Sequence, residues 1–471
     1  MSQQHQLRHQ EFSIDQSQRK KIVRQDRFYP QSDTHFLKIE NKTFPVENYA
    51  AFGVAIKGLN LDFAKNETYQ GTYIVNGIEI STLDLHVVRK NEEDKVAFTI
   101  LGQPLSIEAV KAVEKSREVI KSIVDFETQY KNVPTAFKHL TYEMRALLQN
   151  LESKVNQIET NSFELNSRDL SFYEEAVVQT ITPFIEDLLP QISAKLTAAL
   201  TGLNSDEVKL CYDFLRKVTG EHFYSSAYGH RAYHKPRGYA GDYEMMNNVY
   251  MNDLRGKSLF AKCMQRLFTD SAAGKAVRNR AEFILEKILK ASKEKSNIRI
   301  LSVASGPAKE IQELFLKYPG LQSNVEIHLL DQDEEALKYA QREILEICRN
   351  NSILYPQVHF HNLAIKNVIN EGLDLGKFDI IYSAGLFDYF TDPVAQFAAN
   401  KLFSSLSNDG ELVIGNFSTY NPSRFVMEAL GDWYLIYRNE ESLKNLFGTV
   451  TPNIKIESEK EGINLFAVLK K

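Results

Sequence analysis

Residues 297–331 read NIRILSVASGPAKEIQELFLKYPGLQSNVEIHLLD, and this stretch decides the fold of the second half of the chain. The apolar run from Ile298 to Val303 predicts a buried strand of a parallel sheet. Pro307 suits the first turn of the helix that follows, because its missing N–H needs no partner there. A second apolar strand then ends on Asp331. The stretch therefore predicts one β-α-β unit, with small residues where the backbone meets a ligand and a carboxylate placed to hold ribose hydroxyls.

Two cofactor classes fit such a unit, dinucleotides and S-adenosylmethionine (SAM). The dinucleotide fingerprint G-x-G-x-x-G is absent, because no glycine follows Gly306 at the required offsets. Residues 300–308 resemble the first motif of class I SAM-dependent methyltransferases, with Ala304 and Ala308 in place of the outer two of its three glycines. Ser302 replaces a common acidic residue. The resemblance implies a SAM site, for which the candidate residues in this stretch are Ala304, Ser305, Gly306, Asp331 and Gln332.

The sequence after this unit continues to alternate between helices and strands. The α/β repeats predict an α/β fold, a doubly wound Rossmann-like sheet with two antiparallel closing strands near the C-terminus. In SAM enzymes a polar residue after the third strand often faces the adenine amino group, which makes Asn362 a candidate. The fourth strand begins at Phe378 and ends in small residues, where methyl donor and acceptor are expected to meet. Its candidate cofactor-binding residues are Ser383, Ala384 and Gly385.

Composition limits the other function classes. A chain of 471 residues is too long for one hydrophobic core, so two to four domains are expected. A net charge of −5 and a pI of about 6.2 argue against general nucleic-acid binding. No apolar run approaches the roughly 18 residues of a membrane span, and the polar start predicts no signal peptide. The three isolated cysteines predict buried thiols and no metal site, and the expected location is the cytoplasm.

The sequence before the β-α-β unit changes character several times. Short alternating strands separated by turn signals such as Asn76-Gly77 predict a small antiparallel β-barrel. A helical period follows, interrupted by Pro134, Pro183 and Pro190, which are expected to break or kink the helices. The predicted divisions are a disordered tail (1–18), the barrel (19–104), a helical domain (105–225), a polar loop with a linking helix (226–290) and a methyltransferase-like domain (291–471).

The order of parts in the barrel resembles a PilZ domain. Its basic lead-in holds Lys20, Lys21, Arg24 and Arg27, and its short motif is the run NYAAFG at 48–53. PilZ domains that bind cyclic di-GMP use R-x-x-x-R and [DN]-x-S-x-x-G, whereas here Arg24 and Arg27 are three apart and Ala50 replaces the serine. The resemblance implies either cyclic di-GMP binding or a degenerate barrel that serves for docking or dimerisation, so a homodimer stays open.

The segment 228–250, YGHRAYHKPRGYAGDYEMMNNVY, is the most unusual part of the chain. Five tyrosines and several charged residues crowd around Pro236, Gly238 and Gly241, which predicts an ordered loop and no regular core element. Ordered polar loops on a rigid scaffold often carry function, and a plain surface linker is the alternative. The triplet Arg278-Asn279-Arg280 then leads into a helix that is expected to pack on the sheet.

Five phrases between residues 224 and 469 resemble a methyltransferase family associated with extracellular-factor biosynthesis: HKPRGYAGD (234–242), AVRNR (276–280), YSAGLFDY (382–389), GNF (415–417) and DWYLIYR (432–438). That family is associated with methyl esterification of 3-hydroxypalmitic acid, a quorum-sensing signal. The resemblance implies carboxyl O-methylation of a 3-hydroxy fatty acid. A SAM-binding regulatory or scaffold protein, and a methyltransferase that acts on another small molecule under cyclic di-GMP control, stay open as alternatives.

A carboxylate acceptor is already anionic, so its methylation needs no general base and depends on proximity, orientation and a dry site. The site should still supply a cation or hydrogen-bond donors that hold the carboxylate. The catalytic candidates are Arg237, Tyr239 and Tyr389. The substrate-binding candidates are Lys235, His234 and Asp242, the last also pairing with a cation of its own segment. A hydroxyl or amine acceptor would need a base, for which His230 or His234 is a candidate.

Overall fold

The structure is a computed structural model that describes residues 27–30, 34–58, 61–91, 95–162, 165–372 and 374–471. The predicted disordered tail and the basic residues Lys20, Lys21 and Arg24 lie outside the described residues. The chain divides into two compact units, Met1–Lys131 and Asn132–Lys471. Each unit has its own hydrophobic core. No helix in the described ranges is both long and apolar enough to cross a bilayer.

The first unit contains a closed antiparallel barrel, as the sequence predicts. The strand order around the barrel is β1-β2-β3-β6-β5-β4. Alternate residues point inward, as in β6, where Val96, Phe98 and Ile100 are buried. Helix α1 is capped by Ser106 and packs Val110 on the barrel core. The elements are β1 (His35–Ile39), β2 (Lys42–Ala50), β3 (Gly53–Lys57), β4 (Thr68–Val75), β5 (Ile78–Asn91), β6 (Lys95–Leu101) and α1 (Ile107–Gln129).

The second unit begins with the predicted helical region. Pro183 and Pro190 do not end a helix, because both lie inside α3, which buries Val178, Ile185 and Leu189 along one face. Packing of this face on both sides of the prolines offsets the hydrogen bonds that the prolines remove. The helices are α2 (Thr135–Thr160), α3 (Ser167–Ala198), α4 (Ser205–Phe223), α5 (Ala227–His234), α6 (Tyr243–Met251), α7 (Leu259–Thr269) and α8 (Ala272–Glu294).

The prediction that 228–250 forms a loop is wrong for most of that segment. Helix α5 is capped by Ser226, and helix α6 is capped by Asp242, whose carboxylate accepts a hydrogen bond from the Met245 N–H. Tyr228 and Met245 are buried, so both helices contribute to the core. Only the eight residues 235–242, called here the bridging loop, are irregular. The N-cap side chains stabilise helices on both sides of the turn residues, and the turn residues interrupt regular structure only in the bridging loop.

The second half of this unit is the predicted doubly wound sheet, with the strand order β12-β13-β11-β10-β7-β8-β9. All strands are parallel except β13. The strands are β7 (Ile298–Val303), β8 (Val325–Asp331), β9 (Gln357–Asn362), β10 (Phe378–Ser383), β11 (Leu406–Phe417), β12 (Ile454–Ser458) and β13 (Asn464–Lys470). The helices are α9 (Lys309–Lys317), α10 (Glu334–Asn350), α11 (Ile365–Glu371), α12 (Asp392–Ser404), α13 (Arg424–Ala429) and α14 (Glu440–Phe447).

The strand order predicts where a ligand cleft lies. The chain leaves β7 toward β8 on one side, whereas β10 lies on the other side of β7. Open α/β sheets bind ligands at such a reversal of order, outside the carboxyl ends of the strands. Buried apolar clusters cover both faces of the sheet and hold these strand ends in place.

Candidate active site

A cavity of about 370 Å³ opens at the carboxyl ends of β7, β8 and β10. This size is typical of a pocket for a small organic molecule. Its walls include the loop that follows β7, the ends of β8 and β10, and Tyr239, Ala240 and Gly241 of the bridging loop. The cavity therefore lies where the topology predicts a ligand, and the bridging loop borders it.

The loop after β7 has an unusual backbone. Ala304, Gly306 and Ala308 have φ angles of +56°, +53° and +51°, all in the left-handed region. The two alanines thus adopt the conformation that glycine allows in the related motif, at a cost of roughly 1–2 kcal/mol each. The Gly306 N–H donates a 2.8 Å hydrogen bond to Asp331 Oδ2, which fixes the loop against the end of β8.

Asp331 is the central polar residue of this wall. Its side chain is 6% exposed, and Oδ1 accepts a second hydrogen bond from the Asp333 N–H at 2.9 Å. Burial raises its pKa, while the two backbone hydrogen bonds favour the ionised form. A carboxylate offers about four acceptor positions, so Asp331 keeps acceptor capacity beyond these backbone bonds. Ser305 Oγ, also buried at the cavity, has no hydrogen-bond partner among the described residues.

The structure separates the predicted cofactor-binding residues into two groups. Asn362 does not line the cavity, because its Nδ2 donates 3.1 Å hydrogen bonds to the main-chain oxygens of Asp331 and Gln332. Ser383 is fully buried and is also absent from the wall. Leu363 lines the cavity in place of Asn362. The predicted residues that do line it are Ala304, Ser305, Gly306, Asp331, Gln332, Ala384 and Gly385.

Two of the three predicted catalytic residues, Tyr239 and Tyr389, line the cavity. The Tyr389 hydroxyl accepts a 2.8 Å hydrogen bond from Trp433 Nε1 and donates a 3.2 Å bond to the Ala240 carbonyl. A Cβ atom at Gly241 would lie 2.8 Å from the Trp433 ring, so only glycine fits between these groups. The aromatic pair and the bridging loop thus pack together at the cavity.

The charged candidates are paired with other side chains and do not face the cavity. Arg237 donates two hydrogen bonds to Asp333, which caps helix α10 and also accepts a 3.0 Å bond from Tyr239. Lys235 Nζ lies 2.8 Å from Asp432 Oδ2. These ion pairs attach the bridging loop to the turns of the sheet domain.

The remaining two candidates also lie outside the cavity wall. Asp242, which is buried, pairs with Arg231 of its own segment at 2.8 Å and caps α6. His234 and His230 are both exposed, and their rings lie with centroids 4.2 Å apart at an interplanar angle of 41°. The structure therefore brings neither predicted alternative base to the cavity.

The inner wall holds three charged or acidic residues that sequence reasoning missed: Arg280, Glu310 and Asp388. Glu310 accepts a 2.6 Å hydrogen bond from the Tyr382 hydroxyl, and burial raises the Glu310 pKa. Asp388 is 2% exposed and accepts a 2.6 Å bond from the Phe417 N–H, and burial raises its pKa to about 7. The quoted phrases AVRNR and YSAGLFDY contain two of these residues, but no spacing indicated that their side chains converge.

A separate cluster lies on β8 and β9, outside the cavity wall. The possible ligand atoms of Glu326, His328 and His359 lie within 4.8 Å of one another. Arg299 already donates to both oxygens of Glu326, at 3.0 and 2.9 Å. The carboxylate is therefore neutralised by a guanidinium, and a metal ion would have to displace it.

A model of a family described as a methyltransferase domain matches residues 294–461. No curated protein matches the sequence. The matched region contains every strand of the seven-stranded sheet except β13. The second half of the chain is thus a class I SAM-dependent methyltransferase domain, and the predicted enzyme class, fold and cofactor are confirmed at this level.

Solved structures give distant likenesses. A possible exported protein from Bordetella parapertussis is 16% identical, with a TM-score of 0.39, and the match covers 49% of this chain and 79% of that one. The magnesium protoporphyrin IX methyltransferase of Synechocystis with bound SAM is 12% identical, with a TM-score of 0.31, and the match covers 42% of this chain and 84% of that one. A SAM-dependent methyltransferase of Clostridium acetobutylicum is 14% identical, with a TM-score of 0.30, and the match covers 41% of this chain and 91% of that one.

Proposed function

We propose that the protein transfers the methyl group of SAM to the carboxylate of a 3-hydroxy fatty acid and releases a methyl ester signal inside the cell. The observation that carries this proposal is the make-up of the cavity. One part of the wall carries Asp331 and the Gly306 loop, and another carries apolar and aromatic side chains, among them Met246, Trp433 and Leu435. No histidine occurs among the described residues that line it. Such a wall suits an acceptor that is apolar and already nucleophilic.

The cofactor side would be held by this chain's own polar groups. Asp331 would accept hydrogen bonds from ribose hydroxyls, and the buried Ser305 hydroxyl would gain the partner that it lacks. Bound SAM supplies an activated methyl group on a sulfonium. Ala384 has only a methyl side chain and Gly385 has none, so a ligand can approach the backbone closely at the end of β10.

The acceptor needs orientation more than activation. One carboxylate oxygen attacks the methyl carbon, the carbon–sulfur bond breaks, and its electron pair stays on sulfur. The products are the methyl ester and S-adenosylhomocysteine (SAH). Tyr389, held by Trp433 and Ala240, would fix the acceptor at the cavity, while the ion-paired bridging loop excludes water.

A second acceptor class is favoured by one observation. Asp388 lines the cavity and has a pKa of about 7, which is where a general base works best at neutral pH. In that case the enzyme would methylate a hydroxyl group and Asp388 would take its proton. The product would then be an ether.

Two further alternatives concern the whole chain. A scaffold protein would bind SAM without turnover. A regulated enzyme would change its activity when cyclic di-GMP binds to the barrel, where Asn48, Ala50 and Gly53 stand at the positions of the PilZ motif. Titration of the full chain with cyclic di-GMP, followed by heat release and by methyl transfer, tests the second alternative.

The main experiment is methyl transfer from radiolabelled SAM to 3-hydroxypalmitate by the full chain. We expect label in the lipid extract that mild base releases as methanol, with no transfer to the methyl ester of 3-hydroxypalmitate, which has the hydroxyl but no carboxylate. Asp388→Asn should keep most of the activity, because a carboxylate acceptor needs no base. Base-stable label that is lost in Asp388→Asn would contradict the proposal and support a hydroxyl acceptor. SAM binding without label would exclude the fatty-acid acceptor and leave two alternatives, the scaffold protein and a methyltransferase that acts on another small molecule.

A further inference from the structure

Arg280 is a buried cation in the wall of the cavity. It lies on α8, is 8% exposed, and is among the residues that line the cavity. Its Nη2 donates to the sulfur of Met246 at 3.2 Å, and its Nε has no hydrogen-bond partner among the described residues. No carboxylate in the described part of the chain forms an ion pair with it. Burial of a guanidinium without such a partner costs several kcal/mol.

The acidic groups near Arg280 are engaged elsewhere. Glu310 accepts from Tyr382, and Asp388 accepts from the Phe417 N–H. Arg280 acts on both carboxyl groups through space, but burial dominates and raises both of their pKa values. Near neutral pH these carboxyl groups therefore compensate the guanidinium only in part.

The end of β10 is shaped to leave Arg280 in place. A Cβ atom at Gly385 would lie 2.9 Å from Arg280 Nη1. Glycine at this position lets the guanidinium lie against the strand end that borders the cavity. Two independent features therefore mark this part of the cavity wall. One is a cation without a carboxylate partner, and the other is a glycine that makes room for the cation.

We propose that Arg280 binds a carboxylate of a ligand inside the cavity. Its planar fork donates two parallel hydrogen bonds to a carboxylate, which no other described cation in the wall offers. Two ligands of the proposed reaction carry this group: the methionine part of SAM and the fatty-acid acceptor. If the carboxylate belongs to the fatty-acid acceptor, the inference rests on the proposed function. If it belongs to SAM, the inference rests only on the presence of a SAM-dependent methyltransferase domain.

The test is a binding comparison with Arg280→Met in the full chain, by calorimetry with SAH and with 5′-methylthioadenosine, which lacks the carboxylate. If the cofactor is the source, SAH affinity falls by roughly 30-fold or more while the affinity for 5′-methylthioadenosine changes little. If the acceptor is the source, both affinities are kept and the KM for 3-hydroxypalmitate rises by a similar factor. The proposal is overturned if SAH and 5′-methylthioadenosine lose affinity equally. It is also overturned if neither affinity nor the KM for 3-hydroxypalmitate changes.

Two controls separate binding from folding. Lys287→Gln removes a cation from the same helix, where it pairs with Glu457 away from the cavity, and should leave all three values unchanged. The Tm of ligand-free Arg280→Met, measured at pH 6, should equal or exceed that of the natural protein, because an uncompensated buried charge has been removed. A Tm lower by several degrees would overturn the proposal by showing that Arg280 serves the fold. Binding of 5′-methylthioadenosine itself reports on the SAM site, so failure of that site is distinguishable from failure of the Arg280 assignment.

Discussion

Each of the two units buries a polar cluster, and the two clusters differ in how completely they are paired. In the barrel, His35 bonds to the Tyr73 hydroxyl at 2.8 Å and to Glu114 Oε1 at 3.0 Å, so both ring nitrogens have partners. In the second unit, Arg280 has neither a carboxylate partner nor a partner for Nε among the described residues. A fully paired buried cluster stabilises a fold, whereas we infer that the open donor of Arg280 serves a ligand in the cavity.

The barrel cluster also defines its own protonation state. A carboxylate only accepts, so His35 Nε2 donates to Glu114, and Nδ1 then accepts from Tyr73 when the ring is neutral. Burial lowers the pKa of His35 despite the nearby Glu114. The cavity cluster differs, since burial there raises the pKa of Asp388 above that of an ordinary carboxyl group. The two clusters should therefore respond to pH in opposite directions.

The largest expected effect is on the cavity cluster at high pH. The Asp388 pKa is about 7 in the folded protein and 3.8 ordinarily, so the unfolded chain loses this proton first and the free energy of unfolding falls between these pH values. Asp388→Asn cannot ionise and should be more stable than the natural protein at pH 8, by up to about 4 kcal/mol, and about equal at pH 4. Denaturant unfolding at both pH values measures this. The exposed Asp253→Asn serves as control, and equal stability of Asp388→Asn and natural protein at pH 8 would contradict the account.

The barrel cluster should behave as structure alone. His35→Phe leaves the Tyr73 hydroxyl buried without its partner, so the free energy of local opening of the barrel should fall by about 2 kcal/mol. Hydrogen exchange of β1 and β4 in the full chain measures it, and SAH affinity should not change. Faster exchange throughout the second unit would show that the two clusters are not independent.

The same exchange measurement gives the pH response of the barrel. Because the His35 pKa is lowered in the folded state, the unfolded chain binds the proton more readily. Protection of the barrel should be complete above pH 6.5 and should fall as the pH drops below that value. His35→Phe should remove this dependence. Protection that increases on acidification would reverse the predicted sign.

A smaller effect should separate binding from stability within the cavity. Gly385→Ala places a methyl group 2.9 Å from Arg280 Nη1, and the flexible end of the arginine can move away at little cost to the fold. We expect an unchanged Tm and roughly a 10-fold loss of affinity for the ligand whose carboxylate Arg280 binds. Unchanged affinity would mean that the position of the guanidinium does not matter.

The smallest expected effect concerns backbone strain. The described positive-φ residues of the barrel unit other than glycine are Glu40, Asn66 and Asn76, all outside its strands, whereas the cavity loop uses alanine at 304. Ala304→Gly relieves the left-handed strain but adds freedom to the unfolded chain, so a net gain of about 0.5–1 kcal/mol is expected. Denaturant unfolding measures it, and a clear loss of stability would show that the Ala304 side chain contributes packing.

The fold could be predicted from the sequence, and so could the place of residues 304–306 and Asp331 at the cavity, because both signals are local. The apolar period gives the strands, and the run at 304–308 with Asp331 lies within one β-α-β unit. The inner wall of the cavity could not be predicted in the same way. Arg280, Glu310 and Asp388 come from three separate elements, and whether their side chains converge depends on helix rotation and strand register.

The charged residues of the bridging loop show the same limit. Arg237 pairs with a residue 96 positions away in the sequence, and Lys235 with one 197 positions away. A single sequence does not reveal such partners, so the charges of Arg237 and Lys235 suggested a substrate site, whereas the structure shows both side chains in ion pairs. The N-caps Ser226 and Asp242 were visible in the sequence, and giving them more weight would have predicted α5 and α6.

The most direct test of the central claim, that the cavity at the ends of β7 and β8 binds the cofactor, is calorimetric titration of the full chain with SAH, beside Asp331→Ala. We predict a single site in the natural protein and an affinity at least about 30-fold weaker in Asp331→Ala, because the ribose hydroxyls lose a charged acceptor. Absence of SAH binding to the natural protein, or equal binding by the two proteins, would contradict the account.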